Sequence, residues 1–253
     1  MPDADFVGRG RSRLPGRGSA GDGLDAAGAP GTLRARCRRG TLGGKRSTGS
    51  SVADFARVHR VVKIRIIDLG SGDEERIRAI GAMLVDGFRE NAPGAYPDLA
   101  TAIAEVRDWF VADRVSRVAI DDDSGEAVGW IGGTRNYSGH AWELHPLVVR
   151  PDRQQRGIGR ALVKDLEQHV AARGGITIYL GADDETNQTS LAGVDLYPDV
   201  WTHVRNIRNL RRHQYEFYQK LGYAIVGIIP DANGFGKPDI FMAKRVGGTA
   251  RQN

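Results

Sequence analysis

An α/β fold, with a mixed central sheet flanked by helices, is predicted for residues 61–246 by three features of the sequence. Segments of strand-like alternation and segments of helical repeat follow one another in the order β-α-α-β-β-β-α-β-α-β-β. An apolar strand at 140–149 leads through a helix to a second apolar run, Ile176 to Gly181, and a right-handed crossover makes those two strands parallel. Short turns such as Asp122-Asp123-Ser124-Gly125 join other neighbours as antiparallel pairs.

The elements follow in order. VVKIRIIDL, 61–69, reads as an edge strand. Ser71-x-x-Glu74 has the form of a capping box, and Ile77, Ile80, Leu84 and Phe88 mark one helix face. Asn91 to Pro97 is a loop, and a second helix is expected around Asp98 to Phe110. Strands are expected at 116–121 and 126–133, and a turn near Ser138-Gly139 leads into the central strand at 140–149. The helix at 157–173 stops at Gly174-Gly175. A helix near 207–221 and strands at 223–229 and 239–245 complete the set, without an internal repeat.

The 253-residue chain is 40% hydrophobic, enough for a sizeable core. Its charge is unevenly placed. Residues 1–60 carry 12 Lys+Arg against 5 Asp+Glu, a net of +7, whereas the remaining 24 basic and 26 acidic residues give −2. The pI of about 9.5 therefore belongs to the leader. With GRGRSRLPGRGSAGDG and RARCRRGTLGGKRSTGSS, that leader lacks periodicity and is expected to be disordered, as are residues 247–253. Its aromatic residues are Phe6 and Phe55 alone, so no nucleic-acid partner is expected; it has neither the apolar core of a signal peptide nor the makeup of a transit helix. We expect it to be dispensable, with a native start near Val58 or Val61. The single cysteine, Cys37, lies in it, so the domain has no disulfide or cysteine metal site, which suits a reducing cytoplasm. No zinc spacing is present, and no run approaches the roughly 18 apolar residues of a membrane span.

The candidate site centres on WELHPLVVRPDRQQRGIGRALV, 142–163. Strand alternation puts Trp142, Leu144, Pro146 and Val148 on one face, and Glu143, His145, Leu147 and Val149 on the other. Pro146 has no N–H and should mark a bulge or an opening of the ladder, where an extended ligand beside Leu147 to Val149 would find free backbone groups. Gln154, Gly157 and Gly159 then open a helix whose apolar residues Ile158, Leu162, Leu166 and Val170 recur every four positions. Unpaired N–H groups at such a start attract phosphate, and the absent side chains let a pyrophosphate approach, with Arg153, Arg156 or Arg160 assisting. This is the pattern of a coenzyme A site. A packed strand-turn-helix whose glycines serve only the turn is the alternative reading. In a Rossmann site the third glycine would stand where Leu162 does, and the seven residues between Val149 and Gly157 are too many for its tight turn. No Gly-x-x-x-x-Gly-Lys P-loop occurs.

Gln154-x-x-Gly157-x-Gly159 after a strand resembles the acetyl-CoA motif of the GNAT N-acetyltransferases. Joined to WELHPLVV, RGGITIYLGADDE at 173–185, DLYP at 195–198, YEFYQKLGY at 215–223 and IVGIIPDANGFGKPDI at 225–240, it resembles the aminoglycoside 6'-N-acetyltransferases. The resemblance is strong from about Trp130 to Arg245, weaker from Val61 to Gly129, and absent before Val61. It implies the GNAT fold, acetyl-CoA as cosubstrate with no metal, an aminoglycoside as acceptor, antibiotic resistance as the outcome, and a homodimer, for which the apolar strands 223–229 and 239–245 are the candidate interface. It also implies a coenzyme site made by Leu147, Val148, Val149, Gln154, Gln155, Arg156, Gly157, Ile158, Gly159 and Arg160. Where the subgroup commonly reads His-Pro-Tyr this chain has His213-Gln214-Tyr215, which bears on the local helix start.

Acetyl transfer needs a neutral amine. At a lysine-like pKa of about 10.4, roughly one amine in 2,500 is neutral at pH 7, a deficit of about 4.6 kcal/mol and an upper bound for a sugar amine. Glu143 is the candidate proton acceptor and amine binder, the alternative being a strand carboxylate paired to a nearby Arg; His145 would orient it or a water. The N–H of Leu147 is the candidate oxyanion donor. The resemblance puts Tyr218 beside the coenzyme sulfur as the acid for the leaving thiolate. Without a core cysteine or Gly-x-Ser-x-Gly an acyl-enzyme is not expected, so attack is direct, in a ternary complex.

Between Ala182 and Val204 stand Asp183, Asp184, Glu185, Asp195 and Asp199 with no Lys or Arg, which suits a polycationic acceptor, although a solvated acidic loop has the same composition. Trp142, Tyr197 and Trp201 are candidates to stack on sugar faces or to be core. Acetylation of a polyamine or peptide amine, and a non-catalytic acetyl-CoA sensor, are the other readings.

Overall fold

The computed structural model describes residues 63–92 and 94–248. The predicted leader, its native start and most of the tail lie outside the described residues. Seven strands form one mixed sheet, β1 (Ile64–Asp68), β2 (Arg114–Asp121), β3 (Ala127–Asn136), β4 (Ala141–Val149), β5 (Thr177–Asp183), β6 (Ala224–Ile229) and β7 (Asp239–Arg245), in the order β1-β2-β3-β4-β5-β7-β6. β4 and β5 run parallel and the other paired neighbours antiparallel, as the crossover and the short turns require.

The two faces carry separate cores. On one, α1 (Glu74–Phe88) and α2 (Leu99–Arg107) bury Ile77, Ile80, Leu84 and Val106 against Val118, Trp130 and Val148. On the other, α3 (Ile158–Ala172) lays Ile158, Leu162, Leu166 and Val170 against Ile131, Trp142, Leu144 and Ile178, the four-residue repeat seen in the sequence. Trp109 meets Trp130 edge-on at 5.7 Å and shares its core.

Three expectations are corrected. The cap of α1 is Asp73 rather than Ser71: Gly70 to Asp73 closes a turn, and the Asp73 carboxylate accepts from the Arg76 N–H at 3.3 Å. Glu74 instead reaches Arg107 of α2 at 2.7 Å. The helix expected at 207–221 shrinks to α5 (Tyr215–Gln219), because the Asn209 side chain brackets both backbone groups of His213 and Arg212 takes a positive φ of 61°. A short α4 (Val200–Arg205), capped by Asp199, stands in the segment before it.

The third correction concerns β4. Gly133 is opposite Leu144 and Ile131 opposite Leu147, so His145 and Pro146, joined by a cis peptide, face Gly132 alone. This bulge, which Pro146 foretold, exchanges the faces of the strand. Trp142, Leu144, Leu147 and Val149 pack with α3, whereas Val148 turns to the α1 and α2 core; the single alternation expected over 142–149 breaks at the bulge. Gly132 is the counterpart, since a Cβ there would lie 2.4 Å from the His145 carbonyl oxygen and 2.5 Å from the Trp109 ring.

Candidate active site

β4 and β5 pair through Ala141 with Thr177, Trp142 with Ile178 and Glu143 with Tyr179, and there the parallel ladder ends. Beyond it β4 keeps β3 and β5 keeps β7, so the two strands part and one side of β4 faces a wedge. The Arg150 N–H donates to the Val128 carbonyl at 3.0 Å, which fixes the direction of its neighbours. Backbone groups alternate along a strand, so those of Val148 point to β3 and those of Leu147 and Val149 point into the wedge. The Leu147 N–H therefore has the orientation its proposed role needs. The Val149 carbonyl accepts from Gln154 Nε2 at 3.2 Å. Val148 is corrected as a coenzyme contact: its backbone faces β3, and its side chain is buried where a Cβ on Gly87 of α1 would touch it.

The turn that follows is pinned by charge. Arg150 bridges Glu126 at 2.9 Å and Asp152 at 2.7 Å, and Arg153 pairs with buried Asp121 at 2.8 Å. The Asp121 carboxyl is held below its ordinary range, first by the Asp123 N–H and with help from Ser124, Arg153 and Arg150, against the cost of desolvation. Arg153 is thus occupied, while Arg156 and Arg160 are exposed, with no ion pair to them among the described residues. Gln155 and Gly157 take positive φ of 60° and 86°, and Gly157 ends the turn as the N-cap of α3 with no side chain to bond the helix N–H groups. Gly157 serves the turn. Gly159 does not: a Cβ there would sit 3.4 Å from the Phe217 ring and 3.7 Å from Val149, so packing leaves it room. What an absent side chain at 159 permits is approach from outside, which favours an anion at this helix start over a purely structural glycine pair. The buried side chain of Ile158 leaves only its backbone for such a ligand.

Glu143 is half-buried and has no Arg or Lys partner among the described residues, which removes the ion-pair alternative. Its Oε2 accepts from the Tyr179 hydroxyl at 3.3 Å and from Asn136 Nδ2 at 3.4 Å, and Asn136 Nδ2 also donates to the Tyr179 oxygen at 2.9 Å. The Tyr179 phenol is pushed up to about 12 by burial and then by the charge of Glu143, so it keeps its proton at neutral pH. His145 is exposed on the bulge. Tyr218 is buried among Phe217 and Tyr223, at 5.1 and 5.7 Å between ring centres, and burial raises its phenol well above the ordinary tyrosine value. Phe217, its neighbour on α5, is the residue nearest a Cβ built on Gly159, so α5 stands beside the glycine turn.

The acidic segment divides. Asp184 is 1% exposed and accepts from the Gln188 N–H, the Thr189 N–H and the Thr189 hydroxyl at 2.6–2.8 Å, so it folds the loop and is corrected as an acceptor-binding residue. Asp199 caps α4, and Asp195 closes a turn on the Tyr197 N–H while remaining exposed. Asp183 is exposed and takes a hydrogen bond from Asn233, and Glu185 is half-buried. Trp142 is corrected too: it is 2% exposed, donates to the Gly139 carbonyl at 3.2 Å and fills the core under α3, so it stacks on no sugar. Tyr197 and Trp201 are 67% and 63% exposed and remain available. Replacing Asp184 with Ala strands the buried Thr189 N–H and hydroxyl and the part-buried Gln188 N–H; we expect a loss of about 2–4 kcal/mol of stability in urea titration, and within about 0.5 kcal/mol for Asp195→Asn.

Tyr179 and Asn136 were not anticipated. Tyr179 sits between Ile178 and Leu180 in an apolar strand, and its polar tip on that face was the available signal. Gln188 also donates to Asn91 at 2.7 Å, tying the acidic segment to the loop after α1. Two hollows lie off the wedge, one of about 320 Å³ between α1 and Arg150-Pro151, one of about 520 Å³ against α4. Among the described residues no helix is long and apolar enough to cross a membrane, and no group of three His, Cys, Asp or Glu is placed to hold a metal ion.

Residues 81–197 match the model of the acetyltransferase (GNAT) family. An aminoglycoside 6'-N-acetyltransferase from Enterococcus faecium is 42% identical, with a TM-score of 0.66, over 75% of this chain and 99% of its own. A second, an aminoglycoside 6'-N-acetyltransferase complexed with coenzyme A, is 43% identical with a TM-score of 0.64 over the same shares. An aminoglycoside 6'-acetyltransferase type Ii is 36% identical, with a TM-score of 0.54, over 74% of this chain and 99% of its own. The comparison with curated proteins gives no match.

Proposed function

The chain belongs to the GNAT acetyltransferase family, and on that premise we propose that it moves acetyl from acetyl-CoA to the 6'-amine of aminoglycosides by direct attack in a ternary complex. The observation that carries this reading is the wedge that opens where β4 leaves β5, with the Glu143 carboxylate on its last paired rung and an uncapped glycine-rich helix start following the end of β4. When bound there, acetyl-CoA supplies the acetyl group and a thiolate leaving group.

The residues divide the work. Glu143 binds the acceptor ammonium and takes its proton, directly or through a water near His145. The Leu147 N–H receives the charge that develops on the acetyl oxygen, a donor worth roughly 10² to 10³ in rate. Gln154, Gln155, Arg156, Gly157, Gly159 and Arg160 hold the phosphates by backbone N–H groups and charge. Exposed Asp183 and Asp195, with half-buried Glu185, draw in the polycation. Tyr218 protonates the departing sulfur, and because its pKa is raised the phenol stays protonated through the working range. Tyr218→Phe should therefore lower kcat about tenfold with acceptor KM little changed, and the wild type should show no descending limb from this group below about pH 10. A pH–rate profile of both proteins checks this.

The exposed Val226 and Ile229 on edge strand β6 support a homodimer through β6 and β7. Action in the cytoplasm on incoming drug would make its host resistant. The test of substrate class is thiol release from acetyl-CoA with a kanamycin-type aminoglycoside, spermidine and an N-terminal peptide. We expect the aminoglycoside to exceed the others by at least about tenfold in kcat/KM; a preference for spermidine or the peptide would transfer the site to those amines.

A further inference from the structure

We propose that Tyr179, itself oriented by Asn136, is a positioning residue that fixes one oxygen of Glu143 and thereby presents the other to the acceptor ammonium; this rests on the role given to Glu143 above. Glu143 and Tyr179 are register partners on the last rung before β4 and β5 part, so both side chains rise from the sheet at the apex of the wedge. The Tyr179 hydroxyl and Asn136 Nδ2 both address Oε2, at 3.3 and 3.4 Å, and among the described residues none donates to Oε1.

The direction of each bond follows from chemistry. An amide nitrogen only donates, so at the 2.9 Å contact with Asn136 the phenol oxygen accepts, and the phenol hydrogen is directed to the carboxylate. Tyr137 packs edge-on against the Tyr179 ring at 6.4 Å and restricts it from the side. A glutamate free to sample its rotamers would have to be ordered by each incoming substrate; held by a rigid phenol, it is ordered beforehand. Thr134, on the other flank of Glu143, is its partner on β3, so the carboxylate lies between two paired strands and not on a loose edge.

A double-mutant cycle tests this in the full chain, with a kanamycin-type acceptor and acetyl-CoA. Tyr179→Phe keeps the ring and removes the donor; we expect kcat/KM for the acceptor to fall about tenfold while acetyl-CoA affinity stays within about twofold. In a Glu143→Ala background the same change should alter kcat/KM by less than about twofold, because no carboxylate remains to be held. An equal loss in both backgrounds, or an undiminished Tyr179→Phe beside an impaired Glu143→Ala, would overturn the positioning role alone. Wild-type activity in Glu143→Ala would remove the role of Glu143 and this proposal with it. Asn136→Ala, expected to cost about threefold by the same test, carries the cycle if Tyr179→Phe does not yield folded protein.

Discussion

Replacing Glu143 with Ala should lower kcat/KM for a 6'-amino aminoglycoside about 100-fold and leave acetyl-CoA affinity nearly unchanged. The size follows from removing a proton acceptor and an amine partner together; general-base contributions of about 10² to 10⁴ are the usual range. The split follows from geometry. Glu143 stands on the last paired rung of β4 and β5, held by Tyr179 and Asn136, while the phosphate turn begins beyond Val149. Its loss should be felt by the acceptor and not by the coenzyme. Titration calorimetry with acetyl-CoA beside steady-state kinetics separates the two, and a matched loss of coenzyme affinity would contradict the assignment.

Placing an aspartate at Gly159 should weaken acetyl-CoA binding at least about 100-fold with little change in stability. The position accepts a Cβ, since its nearest neighbour, the Phe217 ring, would be 3.4 Å away. The added carboxylate would occupy the uncapped start of α3 and repel phosphate by charge and bulk. Gly159→Ala, with the Cβ alone, should give a smaller loss. Unfolding midpoints close to wild type in both, with coenzyme affinity falling in that order, would locate the phosphates at this turn. Unaltered affinity in Gly159→Asp would remove them from it.

The sheet was legible because each strand carried a plain signal: alternation in β1, a turn bounded by Gly125 before β3, and apolar runs in β5 and β7. α3 was legible for the same reason, its four-residue repeat being the face it buries. The exchange of faces in β4 was not. A bulge is visible in sequence only as the proline that causes it, and which residues switch faces depends on the partner strand, here on Gly132 yielding to the His145 carbonyl. Two of the five acids between Ala182 and Val204 were hidden from the sequence for a related reason: Asp184 and Asp199 satisfy backbone N–H groups of the loop itself, and past that segment Asn209 commits its amide to His213. Short-range bonds of this kind compete with helix formation and leave no periodicity to read. Tyr179 went unseen because its role exists only across strands, in the register that sets it opposite Glu143.

The most direct test of the account is acetyl-CoA turnover, followed by thiol release, with a kanamycin-type drug bearing a 6'-amine beside its 6'-hydroxyl analogue. A carboxylate at Glu143 suited to hold an ammonium predicts turnover with the amine and none with the hydroxyl. Equal turnover with both, or none with either despite demonstrated coenzyme binding, would contradict it.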